Sequence, residues 1–177
     1  MDTVQTDVAL KWYAVYTRPR FEKQVCQRLL EQGIEAYLPM IKTMRQWSDR
    51  KKMVEIPLFS SYVFVNIDRK HYDQVLQTFG AVKYITFEGK AATIPPEQID
   101  NLKIIVNSNE QVETTWERRK KGDKVVVTAG SLKGLKGELI TDGDRKKVLV
   151  RIDSIDQNLT IEVHSSLIEG IKEANSK

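Results

Sequence analysis

The stretch Pro57-Leu58-Phe59-Ser60-Ser61-Tyr62-Val63-Phe64-Val65 limits what this chain can fold into more than any other. Aromatic and β-branched side chains crowd a helix but fit a pleated surface, and a proline tolerates the first position of a strand, so the run reads as a strand. Successive side chains then point to opposite faces, with Tyr62 and Phe64 on one and Val63 and Val65 on the other. Both faces are apolar. An antiparallel sheet in a small domain usually leaves one face to water, so this strand is either covered on both sides or presents an aromatic patch to a partner.

The surrounding pattern supplies the rest of a domain. Lys11 to Thr17 alternates Trp12, Ala14 and Tyr16 against Tyr13 and Val15 and reads as a first strand. Pro19 opens a helix in which Phe21, Val25, Leu29 and Leu30 recur at helical spacing until Gly33 stops it, and whose polar residues Arg20, Lys23, Gln24 and Gln27 read as a solvated face. Glu35 to Met40 is a second strand. Ile41 to Val54 loses clean periodicity and carries Lys42, Arg45, Arg50, Lys51 and Lys52 against Asp49 alone, a basic loop or hairpin. Asp68 to Phe79 gives a short helix with Tyr72, Val75 and Leu76 inward, and Val82 to Phe87 a strand. Pro95 and Pro96 open a last helix bearing Ile99, Leu102, Ile105 and Val106.

This order is an α+β domain with mainly antiparallel pairing, expected over residues 10–107. Residues 108–121 have mixed charge, with only Val112 and Trp116 as sizeable apolar groups, and read as an exposed linker. Residues 122–173 read as strand throughout. Short runs at Val125 to Val127, Gly137 to Ile140, Val148 to Ile152 and Leu159 to Val163, separated by turn residues, predict a small closed barrel. Gly130, Gly134 and Gly137 provide the positive φ and close chain approach of its first turn. Met1 to Ala9 read as a mobile tail.

Composition excludes several classes of function. A chain of 177 residues, 41% hydrophobic and 29% charged, has the make-up of a soluble globular protein of one medium or two small domains. No apolar run approaches the roughly 20 residues that span a bilayer, and the first residues are not basic then apolar, so a cytoplasmic location is expected. One cysteine, Cys26, permits no internal disulfide, and His71 and His164 without clustered thiols give no metal-ligand spacing. There is no phosphate-binding glycine loop, nucleophile elbow or paired-carboxylate site, so neither enzymatic activity nor a cofactor is expected. Most of the net charge of +4 lies at the front: residues 1–107 hold 15 basic and 12 acidic groups, residues 108–121 hold 4 and 3, and residues 122–177 hold 9 of each. That is too weak for tight non-specific duplex binding, although local clusters suffice to touch nucleic acid.

Three segments together carry a resemblance. WYAVYT at residues 12–17 and PLFSSYVFV at 57–65 resemble the N-terminal (NGN) domain of the NusG family of transcription elongation factors, and GDKVVVTAGSLKGLKG at 122–137 resembles its KOW motif. The resemblance implies an NGN domain followed by an SH3-like KOW barrel, in a monomer. It implies an apolar surface that grips the clamp helices of the largest RNA polymerase subunit, here Tyr16, Phe59, Tyr62, Phe64 and Tyr84. Core packing is the competing account of each, and Tyr16, Phe59 and Tyr84 are favoured as contacts. It implies contact with the non-template DNA strand through Arg69, Lys70 and His71, with Arg18 and Arg20 adjacent in space. A solvated helix start is the alternative.

The KOW loop of the general factor meets Rho and a ribosomal protein through an aromatic-bearing loop. The matching loop here, IDSIDQNL at 152–159, has no aromatic and offers Ile155 and Leu159 as apolar contacts. It therefore resembles specialised paralogs that promote antitermination on long operons, including those for surface polysaccharides. A general elongation factor and a ribosome-associated KOW protein are the alternatives.

Overall fold

A computed structural model of the chain describes residues 9–115, 122–142 and 145–171. The expected tail, the Trp116 end of the expected linker and the last residues lie outside these. In chain order the elements are β1 (Lys11–Thr17), α1 (Glu22–Glu31), β2 (Glu35–Tyr37), β3 (Met40–Gln46), β4 (Lys51–Pro57), β5 (Tyr62–Ile67), α2 (Tyr72–Gln77), β6 (Ala81–Tyr84), β7 (Thr86–Phe87), β8 (Lys90–Ala91) and β9 (Thr93–Ile94). After them come α3 (Pro96–Ser108), β10 (Val112–Thr115), β11 (Lys124–Val127), β12 (Lys136–Asp142), β13 (Arg145–Ile152), β14 (Gln157–Glu162) and β15 (Ile168–Gly170). The residues group into two compact units, one of residues up to 38 with 59–96, the other of 39–58 with those from 97 onward.

The first unit is built on an antiparallel sheet ordered β2-β5-β1-β6, with β9 also paired to β1. Register follows from the two apolar faces: Tyr16 lies opposite Tyr62, Val15 opposite Val63 and Ala14 opposite Phe64. Slipping by one residue would exchange the faces and expose the valines. The valine face, with Val15, Val63, Val65 and Ile67, packs against Val25 and Leu29 of α1 and Val75 of α2. Val25 and Leu29 stand four residues apart, which puts both on one side of α1. Each such side chain, fully buried, stabilises the fold by about 1.5–3 kcal/mol.

Helix α1 starts later than Pro19 suggests. Arg20 turns into the left-handed region at φ 68°, and the helix begins at Glu22. The buried Glu22 carboxylate accepts a hydrogen bond from the Ser61 backbone N–H at 2.7 Å, which ties the start of the helix to the bend before β5. That bond is charge-assisted and away from water, where such a bond is worth more than a neutral one.

In the second unit β3 and β4 form a two-stranded hairpin that, among the described residues, pairs only with itself. A six-stranded antiparallel sheet follows, ordered β10-β14-β13-β12-β11-β15. Two features differ from the sequence reading. Val112–Thr115, expected in the linker, is a strand that pairs with β14, Val112 opposite Ile161 and Thr114 opposite Leu159. Helix α3, expected in the first domain, groups mainly with the later strands. The buried Asn101 explains the second difference, since its side chain donates to the Lys136 carbonyl at 2.9 Å and accepts from the Lys136 N–H at 3.1 Å.

Gly130 and Gly134 hold φ of +81° and +89°, whereas Gly137 serves close approach: a Cβ there would lie 2.5 Å from the Leu149 carbonyl oxygen. Arg151 reaches Glu138 through Nε at 3.0 Å and Nη2 at 2.9 Å, a bidentate pair that holds the guanidinium pKa above its ordinary value. The C-terminal region is β-rich, as expected.

Candidate functional site

The aromatic face of β1 and β5 changes character along its length. Trp12, Ala14 and Phe64 are buried, yet Tyr16 and Tyr62, at the end of the same face, are only half-buried. Their rings meet edge to face at 5.7 Å, and the neighbouring β6 places Lys83 opposite Tyr16. Of the two outcomes open to a doubly apolar strand, this one realises both: cover at Phe64, an open aromatic pair at Tyr62. Burial pushes the Tyr62 hydroxyl pKa up, and the Tyr16 ring beside it adds to the shift. Rigid aromatics of this kind supply contact area at low entropic cost.

The other three expected polymerase contacts are inside. Phe64 is fully buried and Phe59 packs its ring edge against it at 6.2 Å. Tyr84 lies opposite Val15 in the β1–β6 ladder, so it shares the valine face and points away from Tyr16 and Tyr62. There it stacks on Tyr72 at 4.0 Å, meets Tyr13 at 5.9 Å and donates its hydroxyl to the Tyr72 carbonyl at 2.9 Å. Burial first, then the neighbouring phenols, pushes its pKa well up. The expected patch of five aromatics is reduced to Tyr16 and Tyr62.

The five expected DNA contacts fall into two groups that do not meet. Arg69, Lys70 and His71 form a 3-10 turn just after β5, at the end where Ile67 lies opposite Lys11. Arg18 and Arg20 follow Thr17, at the other end of β1. A strand rises about 3.3 Å per residue, so the two groups stand about 20 Å apart. Asp68 also occupies the first group. Its carboxylate accepts from the Lys70 and His71 backbone N–H groups and lies 2.6 Å from His71 Nδ1. Although desolvation opposes it, the bonds from His71 and Lys70 hold the Asp68 pKa below its ordinary value. His71 is thus engaged with a neighbouring acid.

The Arg18 end carries a grouping that the sequence did not suggest. Arg18 and Arg28 each place a guanidinium over the Phe79 ring, 5.3 and 5.2 Å from its centre. Arg28 Nη1 also donates to the Phe79 carbonyl at 2.8 Å, and Phe21 packs edge-on at 5.6 Å. Phe79 itself is 57% exposed. Helical spacing from Tyr72, Val75 and Leu76 would turn it inward, but α2 ends at Gln77 and Thr78 is extended at ψ 122°, which throws the ring to the surface. An exposed ring bracketed by two cations offers stacking and phosphate neutralisation together.

In the C-terminal region Ile155 and Leu159, expected as exposed contacts, are both buried. Ile152 pairs with Gln157, so the segment is a tight hairpin bend with Asp156 at φ 51°, and Leu159 already lies in β14 opposite Val150. Asp153 and Asp156 are what this bend exposes. In the glycine-bearing turn at 130–137, Lys136 pairs with Glu97 at 2.8 Å and Lys133 is exposed. Cys26 is partly buried, and burial raises its thiol pKa. Among the described residues no three acidic, histidine or cysteine side chains gather to hold a metal, and no helix is long and apolar enough to cross a membrane.

A sheet with WYAVYT and the YVFV end of PLFSSYVFV as neighbouring strands, and helices on its valine face, is the frame of an NGN-like domain; Pro57 to Ser61, expected in the same strand, instead end β4 and form the bend before β5. The family described as "Transcription termination factor nusG" matches residues 10–103, more than half of the chain, and the protein belongs to the NusG family. Among solved structures it is similar to NusG of Thermotoga maritima, at 20% identity over 92% of this chain and 98% of that one, with a TM-score of 0.48. It is also similar to the MjSpt4:Spt5 complex in conformation B, at 16% identity over 93% of this chain and 99% of that one, with a TM-score of 0.31.

Proposed function

We propose that the protein is an elongation factor that binds RNA polymerase through Tyr16 and Tyr62 and promotes readthrough of terminators in long operons, such as those for surface polysaccharides. The observation that carries this reading is the half-exposed Tyr16–Tyr62 pair at the open end of an otherwise covered sheet face. Its partner is the coiled-coil clamp of the largest polymerase subunit, whose apolar ridge suits a paired aromatic surface. The Arg18–Phe79–Arg28 group takes the non-template DNA strand, a base stacking against ring and guanidinium planes while the cations meet its phosphates. Two contacts that both favour the closed, elongating polymerase shift its population away from pausing and release. No chemical step is involved, and no cofactor.

The β-rich C-terminal region serves as a KOW barrel that recruits a protein, with a ribosomal protein as the candidate. Its hairpin bend at 153–156 exposes two aspartates and buries Ile155 and Leu159, which leaves no apolar anchor there for Rho. A second reading, a general elongation and termination factor, is favoured by the description of the matching family. Reconstituted elongation with and without Rho tests both. Readthrough that rises with the protein and is indifferent to Rho supports the antiterminator; enhanced Rho-dependent release supports the general factor.

A further inference from the structure

The β3–β4 hairpin carries cations that its own fold does not balance. Its register places Ile41 opposite Ile56, Thr43 opposite Val54 and Arg45 opposite Lys52. One step nearer the tip, Trp47 donates its backbone N–H to the Arg50 carbonyl at 2.8 Å, which continues the alternation. Arg45, Lys52, Trp47 and Arg50 therefore share one face at the tip. Like charges directly opposite in a ladder are destabilising. The hairpin's acids do not relieve them: Glu55 lies opposite Lys42 on the other face, and Asp49 sits in the turn. Among the described residues Arg45, Arg50 and Lys52 have no ion-pair partner. Beside them Trp47 is 57% exposed. Packing does not require that indole where it is.

We propose that this tip is a second nucleic-acid site, which takes single-stranded DNA by stacking a base on Trp47 and placing phosphates between Arg45, Lys52 and Arg50. An anion between the facing cations turns their repulsion into attraction, and an exposed indole supplies the sequence-tolerant stacking that single strands use. The other candidate occupant, an acidic protein, would account for the cations but leaves the exposed indole without a stacking partner. The exposed indole and the unpaired cations ask for a base and its phosphates, which single-stranded DNA supplies, and RNA of matching sequence is an outcome of the test. None of these residues belongs to the polymerase or Phe79 surfaces, so the inference does not depend on them.

The test uses the full chain carrying Arg18→Gln, Arg28→Gln and Phe79→Ala, which silences the first DNA group, and a labelled oligo(dT) of about a dozen nucleotides. Binding is expected to fall about tenfold or more with Trp47→Ala and to hold within about threefold with Trp47→Phe. The pair Arg45→Gln and Lys52→Gln is expected to weaken binding and to reduce the slope of log affinity against log salt by about 1.4, two single-strand phosphate contacts. Equal binding by the parent hairpin, Trp47→Ala and the Gln pair overturns the site. So does tighter binding to duplex DNA, or about tenfold tighter binding to RNA of matching sequence. A protein that still binds polymerase but fails this test loses the hairpin site alone.

Discussion

Tyr13 and Tyr16 stand three residues apart on β1 and belong to two aromatic clusters with opposite surroundings. Tyr13 joins Tyr72 and Tyr84 in a stacked group on the helix-covered face, its geometry fixed by the Tyr84 hydroxyl bond to the Tyr72 carbonyl. Tyr16 joins Tyr62 on the other face, where the rings touch each other and then water. The residue type, the strand and the edge-on contact are the same; only the parity along the strand differs. Aromatic identity therefore says little about role here. What separates anchor from surface is which face of a period-two element a ring occupies, and what lies across from it.

The largest expected effect breaks or upholds that division directly. Tyr84→Ala leaves a cavity in the helix-covered core and is expected to cost about 3–5 kcal/mol of stability in urea unfolding. Tyr62→Ala, on the open end, is expected to cost about 1 kcal/mol or less. Comparable losses for the two variants would mean that the clusters are not physically distinct.

Much of the first unit was legible for the same reason. Strands β1 and β5 announce themselves by alternation, and α1 by the four-residue spacing of Val25 and Leu29, because each has a face that must be buried. The sites were less legible, since they depend on register and chain direction, which no local window contains. Tyr84 looked equivalent to Tyr16 until the ladder placed it opposite Val15. Arg69 and Arg18 looked like neighbours until antiparallel pairing sent them to opposite ends of β1. Ile155 and Leu159 looked like loop residues because two aspartates and an asparagine surround them, yet a tight bend turns both inward. Phe79 could have been found only by knowing that α2 stops two residues earlier.

Next in size come the functional losses that would sharpen the contrast. Tyr16→Ala and Tyr62→Ala are each expected to weaken polymerase binding by about 2 kcal/mol, roughly thirtyfold, with the fold intact by circular dichroism. Phe64→Ala should instead act through stability, lowering binding only as far as it unfolds the domain. A stable Tyr16→Ala/Tyr62→Ala protein that binds polymerase like the parent would remove the aromatic pair from the interface. Phe79→Ala is expected to cost about 1–3 kcal/mol of single-stranded DNA affinity while leaving polymerase binding unchanged. Loss of both activities together would join the two surfaces into one.

The smallest effect concerns a single hydroxyl. Tyr84→Phe keeps the stacked ring and removes the bond to the Tyr72 carbonyl at 2.9 Å, an expected cost of about 1 kcal/mol. It should also change how stability responds to alkali. Burial, with Tyr72 and Tyr13 adding to it, raises the Tyr84 pKa in the folded protein above the unfolded value of about 10. Between those two values the unfolded chain releases a proton that the folded chain keeps, so stability is full below about pH 10 and falls as pH rises through the window. Phenylalanine has no proton to lose, and the alkaline decline should become shallower in Tyr84→Phe. It should not vanish, because Tyr37, pushed up to about 12 by burial, and Tyr62 follow the same sign. If the limb is as steep in Tyr84→Phe as in the parent, the Tyr84 hydroxyl is not sequestered in the folded protein, and the division between a covered and an open cluster fails.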